Sequence, residues 1–177
     1  MMKRLFLRIF AAPRIPPEIL DVFGPELSQT FPKLEITSVD RLVMPTTEKI
    51  WDRRRRQAFA PSLLAYLHQY LAWGEMGLWI VDRDLFAPQM NWIFGQAKRG
   101  IGAVLSIVRL ENDLDFIVKE AIHELGHVFG LNHCQLPCVM TFSNSVAEAH
   151  QKSSRLCCYC QDILKKSSLG IIEPSSQ

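Results

Sequence analysis

Apolar residues in this chain alternate, run together or recur at helical spacing, and these patterns divide it into elements. Leu5, Leu7 and Ile9 alternate with Phe6, Arg8 and Phe10, so residues 5–12 read as a first strand with two unlike faces. After Pro16 and Pro17, which suit a helix start, Ile19, Leu20, Phe23 and Leu27 fall at helical spacing. Leu34 to Val43 reads as a second strand, and about Pro61 to Trp73 as a helix turning Leu63, Leu64, Leu67 and Leu71 inward. Gly77 to Val81 is a continuous apolar run, as expected of a strand buried on both faces. Asn91 to Ala97 reads as a short strand and Ala103 to Leu110 as a stronger one, and Asp115 opens a further helix. Strands and helices alternating in this way predict an α/β (α+β) domain with a mixed sheet.

The 177 residues suit one domain with a full core, and a hydrophobic fraction of 48% with 21% charged residues is that of a globular chain. A net charge of +2 does not by itself imply a nucleic-acid partner. No apolar run approaches the roughly 18 residues that span a bilayer. The first residues, Met1 to Ala12, imitate a signal peptide, but Arg8 and Pro13 interrupt the apolar stretch, and a first strand is the better reading. All five cysteines lie between 134 and 160, which favours zinc thiolates in a reducing compartment over a disulfide framework. The expectation is a cytoplasmic protein with no membrane association.

The chemistry concentrates in the helix that follows Asp115. His123, Glu124, His127, Gly130 and His133 stand in the pattern HExxHxxGxxH. Residues four apart share a helix face with Cβ atoms about 6 Å apart, so His123 and His127 can hold one ion. Glu124 is adjacent to a ligand but turned about 100° around the axis, so it can serve a water at the metal without being a ligand. A continuing helix would carry His133 about 9 Å beyond His127 and nearly to the wrong side. Gly130 provides the break, because glycine ends helices readily in a left-handed conformation. Three neutral imidazoles leave a fourth position for water, the mark of a catalytic zinc. Zinc lowers the pKa of a water to about 7. Glu124 would act as general base, taking the proton during attack on a peptide carbonyl and passing it to the leaving amine.

Cys134, Cys138, Cys157 and Cys160 form C-x3-C followed by C-x2-C, close to the spacing of a structural zinc. Cys158 is the odd one, and a swap between Cys157 and Cys158 stays open at this point. The expected complement is therefore two zinc ions, one catalytic and one structural. Residues 1–133 and 134–177 are expected as subdomains of a single unit, the second tied to the active-site floor by its cysteines.

The histidine motif followed at once by Cys134, then by Cys138, Val139 and Met140 and by Cys157 and Cys160, resembles the archaemetzincin family of metzincin zinc metallopeptidases. Segments Val81 to Pro88, Asn91 to Ala97 and Ser106 to Leu110 are similar to that family as well. The resemblance implies a single metzincin-like domain: a mixed twisted sheet, an active-site helix and a short C-terminal subdomain. It implies that Met140 is the Met-turn residue beneath the three histidines. It also implies a cleft across the metal in which an extended peptide pairs with an edge strand, for which Asn91–Ala97 is the expected candidate. The chain departs from the family in having three residues between Cys134 and Cys138, and Gln96 where a glutamate is expected.

The leading reading is thus a zinc-dependent peptidase acting on a peptide or protein substrate. The alternative is a catalytically silent zinc-binding regulatory or interaction protein that retains the site. A nucleic-acid module built on the cysteines and on Arg53 to Arg56 leaves the histidines unexplained, and that arginine run reads as a solvated surface. His68 and His150 lack metal spacing, Trp79, Trp92 and Phe94 read as core before pocket, and Glu120 reads as helix surface.

Overall fold

The computed structural model describes residues 4–167. Met1 to Lys3, part of the segment weighed above as a signal peptide, and residues 168–177 lie outside the described residues.

Five strands make the main sheet: β1 (Leu5–Ala11), β2 (Leu34–Arg41), β5 (Glu75–Val81), β8 (Gly95–Lys98) and β9 (Gly102–Ser106), in the order β2-β1-β5-β9-β8. The first four in that order pair in parallel, and β8 closes the edge antiparallel to β9. This is the mixed sheet expected from the pattern. Alternation along each strand divides the core in two. Leu5, Leu7, Ile9, Leu78, Ile80 and Leu105 face a core shared with α1 (Pro17–Asp21), α2 (Phe23–Thr30) and α4 (Leu114–Val128). Phe10, Trp79, Val81 and Val104 face the other side, where α3 (Ala60–His68) packs with Leu63, Leu64 and Leu67. The remaining helices are α5 (Val146–Gln151) and α6 (Cys158–Lys166).

A second sheet was not anticipated. It joins β3 (Trp51–Asp52), β4 (Gln57–Phe59), β6 (Leu85–Ala87) and β7 (Met90–Ile93) in that order. The arginine run is the turn between β3 and β4, with Arg56 at φ 54 and Arg55 lying 4.4 Å over the Phe86 ring. The stretch Asn91–Ala97 accordingly is not one strand. Ile93 pairs with Leu85 in the small sheet, whereas Gly95 pairs with Leu105 in the large one. Phe94 is the crossing point, and the edge strand is β8. Other boundaries move, among them that of the second strand, which ends at Arg41 and not at Val43. The helix expected to Trp73 ends at His68, and the strand expected to Leu110 ends at Ser106, where Leu110 N–H turns back to Ile107 C=O at 3.1 Å.

Helix α4 is the central strut. Its start is capped by Asp113, whose carboxylate accepts from Phe116 N–H at 3.1 Å. Of its 15 residues, all but Leu114, Asp115 and His127 are buried, so this helix has almost no solvent face. No helix among the described residues is long and apolar enough to cross a membrane.

Candidate active site and metal centres

The end of α4 builds the histidine site. Gly130 takes φ 97, Gly130 N–H donates to His127 C=O at 3.0 Å, and Leu131 N–H reaches back to Gly126 C=O at 2.9 Å. This paired closure satisfies the last carbonyls of the helix and reverses the chain. His133 is thereby returned toward the helix face that carries His123 and His127. Ring centroids lie 4.7 Å apart for His123 and His127, 4.8 Å for His127 and His133, and 5.5 Å for His123 and His133.

Two imidazoles are oriented by the backbone. His123 Nδ1 donates to Val139 C=O at 2.8 Å, and His127 Nδ1 donates to Leu131 C=O at 2.8 Å. Nε2 of each ring then carries a lone pair, and the two Nε2 atoms face one another at 3.2 Å. Two such lone pairs repel unless a cation lies between them. Backbone carbonyls holding Nδ1–H are the usual support of a metal-binding histidine. One ligand atom from each of the three histidines lies within 4.8 Å of the others, so the donor set fits zinc. Burial, then the nearby Lys152 ammonium, pushes the His123 pKa down to about 2, which keeps this ring neutral.

Glu124 stands next to this set and is 6% exposed. Burial, reinforced by the Glu120 carboxylate, pushes its pKa up to about 8. Strand β8 passes directly over it. A Cβ on Gly95 would lie 2.8 Å from Glu124 Cγ and 2.7 Å from Val104 O, so only glycine lets the strand approach this closely. Met140 is fully buried, and its thioether occupies the space a side chain on Gly126 would need, directly under the helix that holds His123 and His127. A cleft of about 710 Å³ runs between β8 and these residues, with Trp92, Phe94 and Phe142 among its walls. Trp79, by contrast, is core.

The four cysteines anticipated as a group come together. Sγ atoms of Cys134, Cys138, Cys157 and Cys160 all lie within 4.8 Å of one another, and none is in a disulfide. Cys134 and Cys157 are 3.8 Å apart, the edge of a tetrahedron with metal–sulfur bonds of about 2.3 Å. Cys157 therefore belongs to the group, and the exposed Cys158, first residue of α6, does not.

Several polar residues were misjudged or missed. Glu120 is not on the helix surface. It is 2% exposed, and its carboxylate lies 2.8 Å from Lys152 Nζ, itself 4% exposed and 3.3 Å from His123 Nδ1. Both line the cleft. No periodicity links positions 120 and 152, so only the folded chain reveals the pair. Gln96 Oε1 is buried in the same cleft without a hydrogen-bond partner among the described residues. His150 packs against Phe116 and Asp113, away from the histidine site, and His68 ends α3 at the surface.

A fold with a three-histidine cage beside a buried glutamate is that of a zinc metallopeptidase. The chain belongs to peptidase family M54, whose model matches residues 18–166. It is 36% identical over 162 residues to the archaemetzincin of Methanopyrus kandleri, covering 86% of this chain and 91% of that protein. The crystal structure of that archaemetzincin superposes with a TM-score of 0.84 at 35% identity, over 92% of this chain and 94% of that one. The archaemetzincin of Archaeoglobus fulgidus complexed with malonate gives a TM-score of 0.77 at 30% identity, over 89% and 99%. The protein is accordingly a zinc-dependent hydrolase of peptide bonds.

Proposed function

We propose that His123, His127 and His133 hold the catalytic zinc and that Glu124 is the general base of peptide-bond hydrolysis in a metzincin-type site. Zinc supplies Lewis acidity, polarising a carbonyl oxygen and easing the ionisation of water. Glu124 would take a proton from the attacking water and return it to the leaving amine. The observation that carries this reading is the pair of backbone-locked imidazoles whose Nε2 lone pairs meet at 3.2 Å.

Strand β8 is the edge against which an extended peptide would pair, since among the described residues its far side carries no further strand of the sheet. Cys134, Cys138, Cys157 and Cys160 would hold a second, structural zinc, with Met140 as the Met-turn residue between the two sites. On this reading the segment from Cys134 onward is a C-terminal subdomain bound to the active-site floor. Four close thiols without a disulfide support work in a reducing compartment such as the cytoplasm.

The test is metal analysis together with digestion of a diverse peptide library read by mass spectrometry. Two zinc ions per chain, with cleavage by the intact protein and a strong loss of cleavage in Glu124→Ala, is the expected result. Full zinc with equal cleavage by both proteins would refute the role of Glu124. Full zinc with no cleavage by either would favour a silent zinc-binding protein.

A further inference from the structure

Four side chains in the cleft outside the histidines carry a charge or can carry one: Arg99, Glu120, Glu124 and Lys152. Glu120 and Lys152 neutralise each other at 2.8 Å. Glu124 is assigned to the chemistry. Arg99 makes no ion pair or side-chain hydrogen bond among the described residues, and it is exposed.

Its position is nevertheless held. Arg99 sits in the turn between β8 and β9, where Gly100 adopts φ 71 and donates its N–H to Val128 C=O at the end of α4, 2.8 Å away. Its guanidinium lies on Gly130: a Cβ there would be 2.9 Å from both Arg99 Cζ and Nε. The glycine that turns the chain toward His133 thus also leaves the floor on which this cation rests. Lys98, the neighbouring residue, faces the opposite side of the strand, toward Pro61, Leu64 and His68 of the α3 region.

Strand β8 has a direction along the cleft. Gly95 begins beside Glu124, and the strand ends at Lys98, one residue before Arg99 beside Gly130. A peptide added antiparallel, the slightly more stable pairing, runs the other way. Its residues before the scissile bond then lie toward Arg99, and those after it toward the self-neutralised Glu120–Lys152 pair. At about 3.4 Å per residue, Arg99 falls some two to four residues upstream of the bond at Glu124.

We propose that Arg99 is a specificity-determining residue of the cleft, selecting peptides with an acidic side chain on the N-terminal side of the bond that is cut. This rests on the peptidase reading and on pairing along β8. An exposed guanidinium–carboxylate contact is modest, so a glutamate two to four residues upstream should raise kcat/KM about threefold to fivefold over glutamine at low salt. The gain should shrink by 0.5 M salt, where the screening length is about 4 Å.

The experiment compares zinc-loaded protein with Arg99→Glu and Lys98→Glu on peptide sets carrying Glu, Gln or Lys at each upstream and downstream position. Cleavage is read by mass spectrometry, and binding of the same peptides by anisotropy with zinc-loaded Glu124→Gln and Glu124→Gln/Arg99→Glu. Expected are an upstream acidic preference, its inversion toward Lys in Arg99→Glu, and its retention in Lys98→Glu. Equal treatment of Glu and Gln in binding and cleavage overturns the proposal, as does an acidic preference on the downstream side or one that Arg99→Glu leaves intact. Acid-selective binding abolished by Arg99→Glu without cleavage by zinc-loaded protein sustains the subsite and defeats the peptidase reading.

Discussion

The histidine cage and the cysteine cluster are neighbours in sequence, joined at the His133–Cys134 bond, yet they are built to opposite ends. The cage grades from buried His123 through half-buried His127 to exposed His133, and it opens into the cleft. The cysteine cluster draws on two short loops and the start of α6, with three of its four thiols buried. An open donor set leaves room for a reactant, and a closed one can only hold the chain together. The dependence between them runs in one direction. Cys134 N–H donates to Met140 C=O at 3.0 Å, and Val139 in the same loop supplies the carbonyl that orients His123. Loss of the cysteine cluster should therefore disturb the cage, whereas loss of the cage should leave the cluster standing.

Replacing Glu124, the proposed base, tests the open site alone. Glu124→Ala should lower turnover by about 10²- to 10⁴-fold, with the zinc content and the melting temperature retained. Steady-state rates alongside metal analysis would show it, and a variant that lost zinc in step with activity would contradict the division of roles.

Next in size is the closed site. Cys157→Ser or Cys160→Ser should remove one zinc and several kcal/mol of stability, on the order expected when a structural metal is lost. Activity should fall with it. His127→Ala should also remove one zinc, but with a clearly smaller loss of melting temperature. Equal losses for the two variants, measured by calorimetry, would erase the contrast.

The Glu120–Lys152 pair links the wall of the cleft to α4, and it is almost wholly withdrawn from solvent. Glu120→Leu or Lys152→Met alone should cost about 3–5 kcal/mol, because each strands a buried charge. The double replacement should recover most of that, and denaturant melts of the four proteins would give the coupling. Additive single effects would mean that the two groups do not act as a pair.

The smallest effect concerns pH in the metal-free protein. Glu124 has a folded pKa pushed up to about 8 against 4.5 for a free carboxyl, by burial first and the Glu120 charge second, with Lys152 opposing. The folded state then binds more protons than the unfolded one between those values, so this group's contribution is complete below pH 4.5 and lost as pH rises through about 8. Glu124→Gln should stabilise the metal-free protein at pH 8 by a few kcal/mol, with the gain vanishing toward pH 4.5. A gain independent of pH would point to packing instead.

Much of the site was legible because its logic is local. The spacing of His123 and His127 is one helical turn, the break at Gly130 is a property of one residue without a side chain, and the cysteine knuckles span three or four positions each. The edge strand was placed a few residues early for an equally physical reason. Trp92, Phe94 and their neighbours carry apolar character straight across the point where the chain leaves one sheet for another, and only the pairing of Gly95 with Leu105 marks the change.

What the sequence by itself determined is the inventory of chemistry: which residues can hold metal, which one can move a proton, and that the domain combines helices with a mixed sheet. These follow from helix pitch, alternation and donor type, which act over a few residues. The tertiary structure decided how the charges are spent. It placed Lys152 against Glu120 across 32 positions of chain and left Arg99 open on Gly130. Electrostatic pairing depends on distance in space and on burial, and neither quantity exists until the segments have packed.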